Sequence, residues 1–229
     1  MLVGALGDVH GDFESVRRIQ ARHPDVDAWL CVGDLADDNG HYERFEAPLH
    51  FIKGNNDGFD AIARGDLPGN VHFLENGRLH VIGGLRVVGL GGTFAPTWYD
   101  TPAAELPHPP KTTARATAQA DRRRHFVRED VLACQALGPV DLFLTHEAPR
   151  PYVVGGTAGR RGVDAGKTPV NEVLAALRPR LHLFGHHHRF SEQERQGIRS
   201  VGLDLVSRSY LLIEVTTMTY RVAMTGEPS

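Results

Sequence analysis

The chain has 229 residues, 41% hydrophobic and 23% charged, which describes an ordinary soluble protein with enough length for one large core or two small ones. Its formal net charge of -3 gives no global drive toward nucleic acid or membrane surfaces, though it leaves room for a local basic groove. No apolar run approaches the roughly 20 residues of a membrane span, and acidic residues arrive too early, at Asp8 and Asp12, for a signal peptide; a cytoplasmic chain with no membrane partner is expected.

Short β-rich apolar runs alternate with helical patterns, which points to an α/β sandwich. Leu2 to Leu6 reads as a buried strand and Phe13 to Arg22 as the helix after it, with Asp12 as the N-cap. Ala28 to Val32 and Leu49 to Lys53 are the next strands, followed by a short helix from Asp57 to Ala63. Val71 to Leu74, Leu79 to Ile82 and Leu85 to Leu90 read as strands, the last two divided by the Gly83-Gly84 turn signal. From Thr93 to Thr113 periodicity fails in a Pro-rich stretch that carries Trp98 and Tyr99; a loop of that length is a functional lid or is locally disordered.

Asp121 to Leu137 reads as one helix with an arginine-rich start, Arg122, Arg123, Arg124 and Arg128. Cations there oppose the helix dipole and mark either an anionic partner or a solvated face. Asp141 to Thr145 is a strand, Arg150 to Lys167 a Gly-rich loop, and Thr168 to Leu177 a helix entered through Thr168 as N-cap and Pro169 at N1. Leu181 to Phe184 is a further strand, and from Ile198 the chain reads as a strand and then a hairpin of "SYLLIEV" and "TYRVAM". One domain is therefore expected over residues 1–229, with loop insertions at about 93–120 and 150–167. The two cysteines, Cys31 and Cys134, fall in an apolar strand and a helical stretch and are expected as buried thiols.

The chemistry gathers where strands stop. The first strand leads into Gly7-Asp8-Val9-His10-Gly11-Asp12, the second into Gly33-Asp34-Leu35-Ala36-Asp37, and the third into Gly54-Asn55-Asn56-Asp57. His146 follows the Asp141 to Thr145 strand, and Gly185-His186-His187-His188 follows Leu181 to Phe184. In open α/β sheets the carboxyl ends of strands are where ligands bind. The candidate ligands are Asp8, His10, Asp34, Asn55, His146, His186 and His188. This mix of carboxylate, amide oxygen and imidazole suits Mn, Fe, Co or Zn better than Ca or Mg. Seven ligands exceed one ion and match two, provided one carboxylate is shared.

The ordered series Asp-x-His, Gly-Asp-x-x-Asp, Gly-Asn-x-Asp, His, Gly-His-x-His resembles the calcineurin-like metallophosphoesterase superfamily and spans the chain from Asp8 to His188. The resemblance implies an α/β fold, a β-sandwich flanked by helices (the metallo-dependent phosphatase fold). It implies two divalent ions, Mn foremost with Fe, Zn, Co or Ni as alternatives. Asp8, His10, Asp34 and His188 would hold one; Asp34, Asn55, His146 and His186 would hold the other, with Asp34 between them. A weaker likeness, through "NVHFLENG", "GLRVVGLGGTF", "HFVREDV" and "VDLFLTHEAPR", is to lariat-debranching enzymes and their prokaryotic relatives. Those often carry Cys in place of the first Asp; Asp8 stands here, so the likeness bears on the subgroup and not on an RNA substrate.

Two such ions about 3.5–4 Å apart turn a shared water into hydroxide near neutral pH and clamp the phosphoryl oxygens, so the expected reaction is phosphate-ester hydrolysis by a metal-bridging hydroxide. Many members of the superfamily carry a His after the ligand Asn as phosphate contact and proton donor, and this chain has Asn56. An amide cannot titrate, which favours phosphodiesters or activated esters unless His187 or a metal-bound water donates the proton. A phosphomonoesterase acting on a small metabolite or phosphoprotein, and a non-catalytic scaffold, are the rival readings. A nucleotide or nucleic acid is a candidate substrate, and Trp98 and Tyr99 are stacking platforms for a base or core anchors of their loop. Asp37 and Asp57 are expected to support the site rather than ligate. The run "GVDAGKT" lacks one residue of a phosphate-binding loop and has Arg161 where its first Gly belongs, so a nucleotide triphosphatase is rejected.

Overall fold

The computed structural model describes residues 1–108, 120–155 and 161–226. Parts of both expected loop insertions, 109–119 and 156–160, lie outside the described residues. Two six-stranded sheets face each other. The first has the order β16-β15-β1-β2-β3-β4, with β1 Leu2–Leu6, β2 Ala28–Cys31, β3 Leu49–Phe51, β4 Val71–Phe73, β15 Ser209–Glu214 and β16 Thr219–Met224. The second has the order β13-β14-β12-β9-β6-β5, with β5 Leu79–Ile82, β6 Leu85–Leu90, β9 Leu142–Thr145, β12 Leu181–Phe184, β13 Ser191–Arg195 and β14 Ile198–Gly202. The expected sandwich flanked by helices is the observed fold.

Side-chain alternation along the strands builds the layers. Val3 and Ala5 of β1, Ala28 and Leu30 of β2, and Val87, Leu142, Leu144, Leu181 and Leu183 from the second sheet fill the space between the sheets. The alternate residues Leu6, Trp29 and Cys31 face outward onto Phe13, Val16 and Ile19 of helix α1 (Phe13–Arg22). On the other side Val88, Leu90 and Phe143 pack against Val131 and Cys134 of α3 (Arg128–Gln135) and Val170, Val173 and Leu177 of α4 (Thr168–Leu177). Helix α2 (Phe59–Arg64) is short. Asp12 caps α1 as expected, accepting from the Ser15 N–H at 3.2 Å, and both cysteines are buried thiols.

β1, β2, β3 and β4 run parallel, as do β6, β9, β12 and β14. The exits of β1, β2, β3, β9 and β12 therefore collect the five motifs at one edge of the sandwich.

Three expectations need correction. The helix from Asp121 to Leu137 is broken: Arg122–Arg124 form a 3₁₀ turn, His125–Phe126 a short strand β8 paired with β7 (Thr93–Phe94), and only Arg128–Gln135 is α-helix. The Asp121 carboxylate accepts from the Arg123 N–H at 3.0 Å and closes the tight turn, and Phe126 is drawn into the core. The arginine triplet thus does not sit on a helix dipole. Strand β13, "SEQER", lies at a sheet edge, where polar side chains are accommodated on both faces. The N-cap of α4 is Lys167 rather than Thr168, with no side-chain cap bond. Within the loops, Val153–Val154 (β10) pairs with Val163–Asp164 (β11), and Ala103–Glu105 is a 3₁₀ turn.

Candidate metal centre

Three strand exits pass through a glycine whose missing side chain makes room for a ligand. A Cβ on Gly54 would lie 2.0 Å from Asp34 Oδ1, one on Gly185 2.4 Å from Asp8 Oδ1, and one on Gly33 2.5 Å from His146 Nδ1. The chain then turns sharply: His10, Asp34, His186 and His188 have φ of 49°, 53°, 69° and 48°. Left-handed backbone at four non-glycine residues is strained, and such strain concentrates at functional sites.

These turns bring two groups of candidate ligand atoms together, Asp8 with His10 and His188, and Asp8 with Asp34 and His146. His188 Nε2 lies 3.0 Å from Asp8 Oδ2 and 3.1 Å from His10 Nε2. Asp34 Oδ2 lies 3.7 Å from both His10 Nε2 and His146 Nε2. Asn55 Oδ1 lies 3.1 Å from His146 Nε2. His186 stands a little apart: its backbone N–H donates to both Asp8 oxygens at 3.0 and 3.1 Å, and its ring centroid is 4.9 Å from that of His146.

The donor set fits cations. His146 Nδ1 lies 2.9 Å from the Val32 carbonyl, so that nitrogen carries the proton and Nε2 offers a lone pair. That lone pair faces the amide oxygen of Asn55 and the Asp34 carboxylate, all three acceptors. Only a positive species among them is favourable. Protons register the same field: burial opposes charging His146, yet Asp34, Asp8 and the Val32 carbonyl outweigh it and raise its pKa. The bond to Asp8 raises His188. Burial works to raise Asp8, but His188, His146 and the His186 N–H prevail and hold its carboxyl below the ordinary value.

A supporting layer orders these groups. Asp57 is buried and accepts from the backbone N–H groups of Gly54, Asp34, Leu35 and Ala36 at 2.6 to 3.1 Å, joining the β2 and β3 exits. Asp37 instead accepts from Asn39 and His41 within its own turn. Asn56 is exposed, and its N–H and side-chain amide both donate to Asp34, at 2.7 and 2.8 Å. His187 packs on Tyr152, ring centroids 4.6 Å apart, and burial, with the charge of Lys167 next, lowers its pKa to about 4. Tyr99 packs against Phe94 and Phe126 with the Arg128 guanidinium over its ring, and Arg122 lies over Trp98. Tyr99 is a loop anchor in this arrangement.

Sequence reasoning passed over Glu147, while His182 belongs to none of the motifs and is structural. Glu147 is buried beside His146 and accepts from the Phe94 N–H at 3.0 Å, and Lys167 Nζ lies 3.8 Å from its other oxygen. His182, fully buried between Phe143 and Phe184, bonds Thr145 Oγ1 at 2.9 Å and Ser200 Oγ at 3.0 Å. The position of Glu147, directly after a strand-exit ligand, was the available signal; His182 has none in the one-dimensional pattern.

A helix-flanked sandwich whose strand ends gather carboxylates, an amide and imidazoles at one edge defines a metal-dependent hydrolase. The family model for calcineurin-like phosphoesterases matches residues 1–190. The chain belongs to that family, whose members hydrolyse phosphate esters with divalent metals. It is similar to the lariat debranching enzyme of Schizosaccharomyces pombe, with 25% identity over 202 residues that take in 79% of this chain and 42% of that enzyme. The chain thus spans less than half the length of this curated relative. Its fold matches the crystal structure of the Thermus thermophilus protein TT1561 with a TM-score of 0.64 at 15% identity, covering 98% of both chains. It also matches GAP50, the anchor in the inner membrane complex of Plasmodium, with a TM-score of 0.58 at 10% identity, covering 99% of this chain and 85% of that one. No described helix is long and apolar enough to cross a membrane.

Proposed function

We propose that the chain is one metallophosphoesterase domain that hydrolyses phosphodiesters with two divalent ions, Mn foremost. Asp8, His10, Asp34 and His188 hold one ion, and Asp34, Asn55, His146 and His186 the other. The observation that carries this reading is the position of Asp34 Oδ2, equidistant at 3.7 Å from an imidazole of each group. A carboxylate so placed serves both halves.

When bound, such a pair supplies a water activated for attack near neutral pH and positive charge against the phosphoryl oxygens. The protein holds the ligands in advance: Asp57 fixes the β2 and β3 exits, the His186 N–H orients Asp8, and the Val32 carbonyl sets the His146 tautomer. The preference for diesters follows from the proton that the leaving alkoxide requires. Asn56 has no titratable proton and its amide already bonds Asp34. His187 is neutral and packed on Tyr152. Neither side chain is a strong acid, so esters with good leaving groups or two ester bonds are favoured over alkyl monoesters. A filled ligand set favours an enzyme over a scaffold of the same fold.

The test is to strip the protein, restore Mn, and compare a bis-aryl phosphodiester with the aryl monoester. Hydrolysis of the diester at the higher kcat/KM, abolished by Asp34→Ala or His186→Ala, is expected. Faster turnover of the monoester, or diester turnover surviving both substitutions, overturns the reading.

A further inference from the structure

Beside the metal centre a second concavity opens between the two loops. It has a volume of about 310 Å³ and is lined by Phe94, Tyr99, Arg128, Arg150, Lys167 and Glu172, among others. Its inner wall adjoins the metal centre. Phe94 and Lys167 both contact Glu147, the residue after His146, and the Lys167 N–H donates to the Ala148 carbonyl at 2.9 Å. A molecule bound through its phosphorus at the metal centre therefore has this cleft as a neighbour.

Three cations and one carboxylate line the cleft, and each cation has one carboxylate partner outside the lining, Asp100, Asp164 or Glu147. Arg128 uses Nε on the exposed Asp100 and Arg150 uses Nε on the half-buried Asp164. Among the described residues the Nη nitrogens of both make no hydrogen bond. Planar guanidinium groups with unused N–H pairs match phosphate oxygens two at a time, and an ammonium adds a point charge.

The aromatic wall narrows the ligand further. Arg128 lies over Tyr99 at 4.8 Å and Phe94 meets its ring edge-on at 5.2 Å. A base has no open Tyr99 platform here, so recognition runs through charge, with the rings as an apolar side wall. The Gly166-Lys167-Thr168 run, too short for a triphosphate cradle, ends up lining this cleft.

We infer that this cleft is a subsite for a second phosphate of the substrate, held by Arg128, Arg150 and Lys167 next to the scissile diester. The inference rests on the phosphodiesterase reading and names its substrate class: diesters that carry a second, terminal phosphate.

The test uses the Mn-loaded full chain and two dinucleotides that differ only in a terminal phosphate, with the bis-aryl diester alongside. The phosphorylated dinucleotide is expected to have about tenfold higher kcat/KM, the size of one charge-assisted contact. Arg150→Gln and Arg128→Gln, both at exposed positions, should reduce that ratio to less than about threefold. Arg199→Gln, over Tyr220 on β14, should keep it. A wild-type ratio near one, or a ratio that persists in both cleft variants, overturns the subsite while bis-aryl turnover leaves the enzyme reading intact. If no diester is hydrolysed, the enzyme reading fails, and titration of the metal-free protein with inorganic phosphate decides the subsite. Binding weakened at least fivefold by Arg150→Gln supports it, and binding that is absent or insensitive to Arg150→Gln refutes it.

Discussion

The two halves of the metal centre use the same residue types at different depths. His146 is 0% exposed and Asp34 1%, whereas His10 is 31% exposed and His188 42%. The buried imidazole is fixed at both nitrogens, by Val32 on one side and by the ligand cluster on the other. Among the described residues the Nδ1 atoms of His10 and His188 make no hydrogen bond. A ligand oriented through its second nitrogen binds metal more tightly than one oriented only by the metal. On the proposed two-ion reading, the difference teaches that one site is set by the fold and the other is completed by what enters it.

The sharpest break of that comparison is His146→Ala against His10→Ala. Losing His146 should remove an ion that survives gel filtration and lower kcat/KM by more than about a hundredfold, without rescue by excess Mn. Losing His10 should give a protein whose activity returns with millimolar Mn. Equal rescue of both variants would show that depth does not govern the two affinities.

A smaller effect is expected from Asp57→Asn. The substitution replaces one carboxylate oxygen with an NH2 group, which takes the acceptor from two of the four backbone N–H groups bound there, Asp34 and Gly54 on one oxygen or Leu35 and Ala36 on the other. Metal affinity should drop roughly 10–100-fold, as for other supporting residues. Metal titration of the stripped protein measures it, and an unchanged affinity would remove Asp57 from the supporting layer.

The buried half also has a polar backing, His182 bonded to Thr145 and Ser200. Burial lowers the pKa of His182 to about 3, below the ordinary 6.5. Between those values the unfolded chain binds a proton that the folded chain refuses. This contribution to stability is present above pH 6.5 and is lost as pH falls toward 3, at about 1.4 kcal/mol per pH unit. Denaturant titrations of metal-free wild type and His182→Gln at pH 7 and pH 5 check this; the variant should have the shallower acid limb, and an equal slope refutes the assignment.

The smallest expected change is chemical selectivity. Asn56→His supplies a titratable group beside Asp34 and should move the monoester-to-diester ratio severalfold toward monoesters, below the roughly 10²–10⁴ of a fully positioned general acid. An unchanged ratio would detach diester preference from this position.

How much of this was legible in the chain depends on how local the signal is. The strand exits were readable because a parallel sandwich demands apolar runs, and four of the five runs lead to a glycine followed by Asp, Asn or His, the fifth running straight into His146. The break at Arg122 to Phe126 was hidden because three arginines, His125 and Phe126 suit a helix, whereas the Asp121 cap and the burial of Phe126 favour a turn and a strand. Strand β13 was hidden by its polarity, since edge position excuses it from apolar alternation.

The sequence by itself determined the family, the layered α/β sandwich and the candidate ligands, because covalent order carries strand periodicity and motif spacing directly. Only the tertiary structure decided that Asp34 stands midway between two imidazoles, that His146 is sealed while His10 is open, and that Lys167 meets Glu147 beside a cleft lined by three cations. Those facts depend on contacts between segments tens to more than a hundred residues apart. Such contacts exist only once two sheets close on a shared core, and no local periodicity encodes their distances.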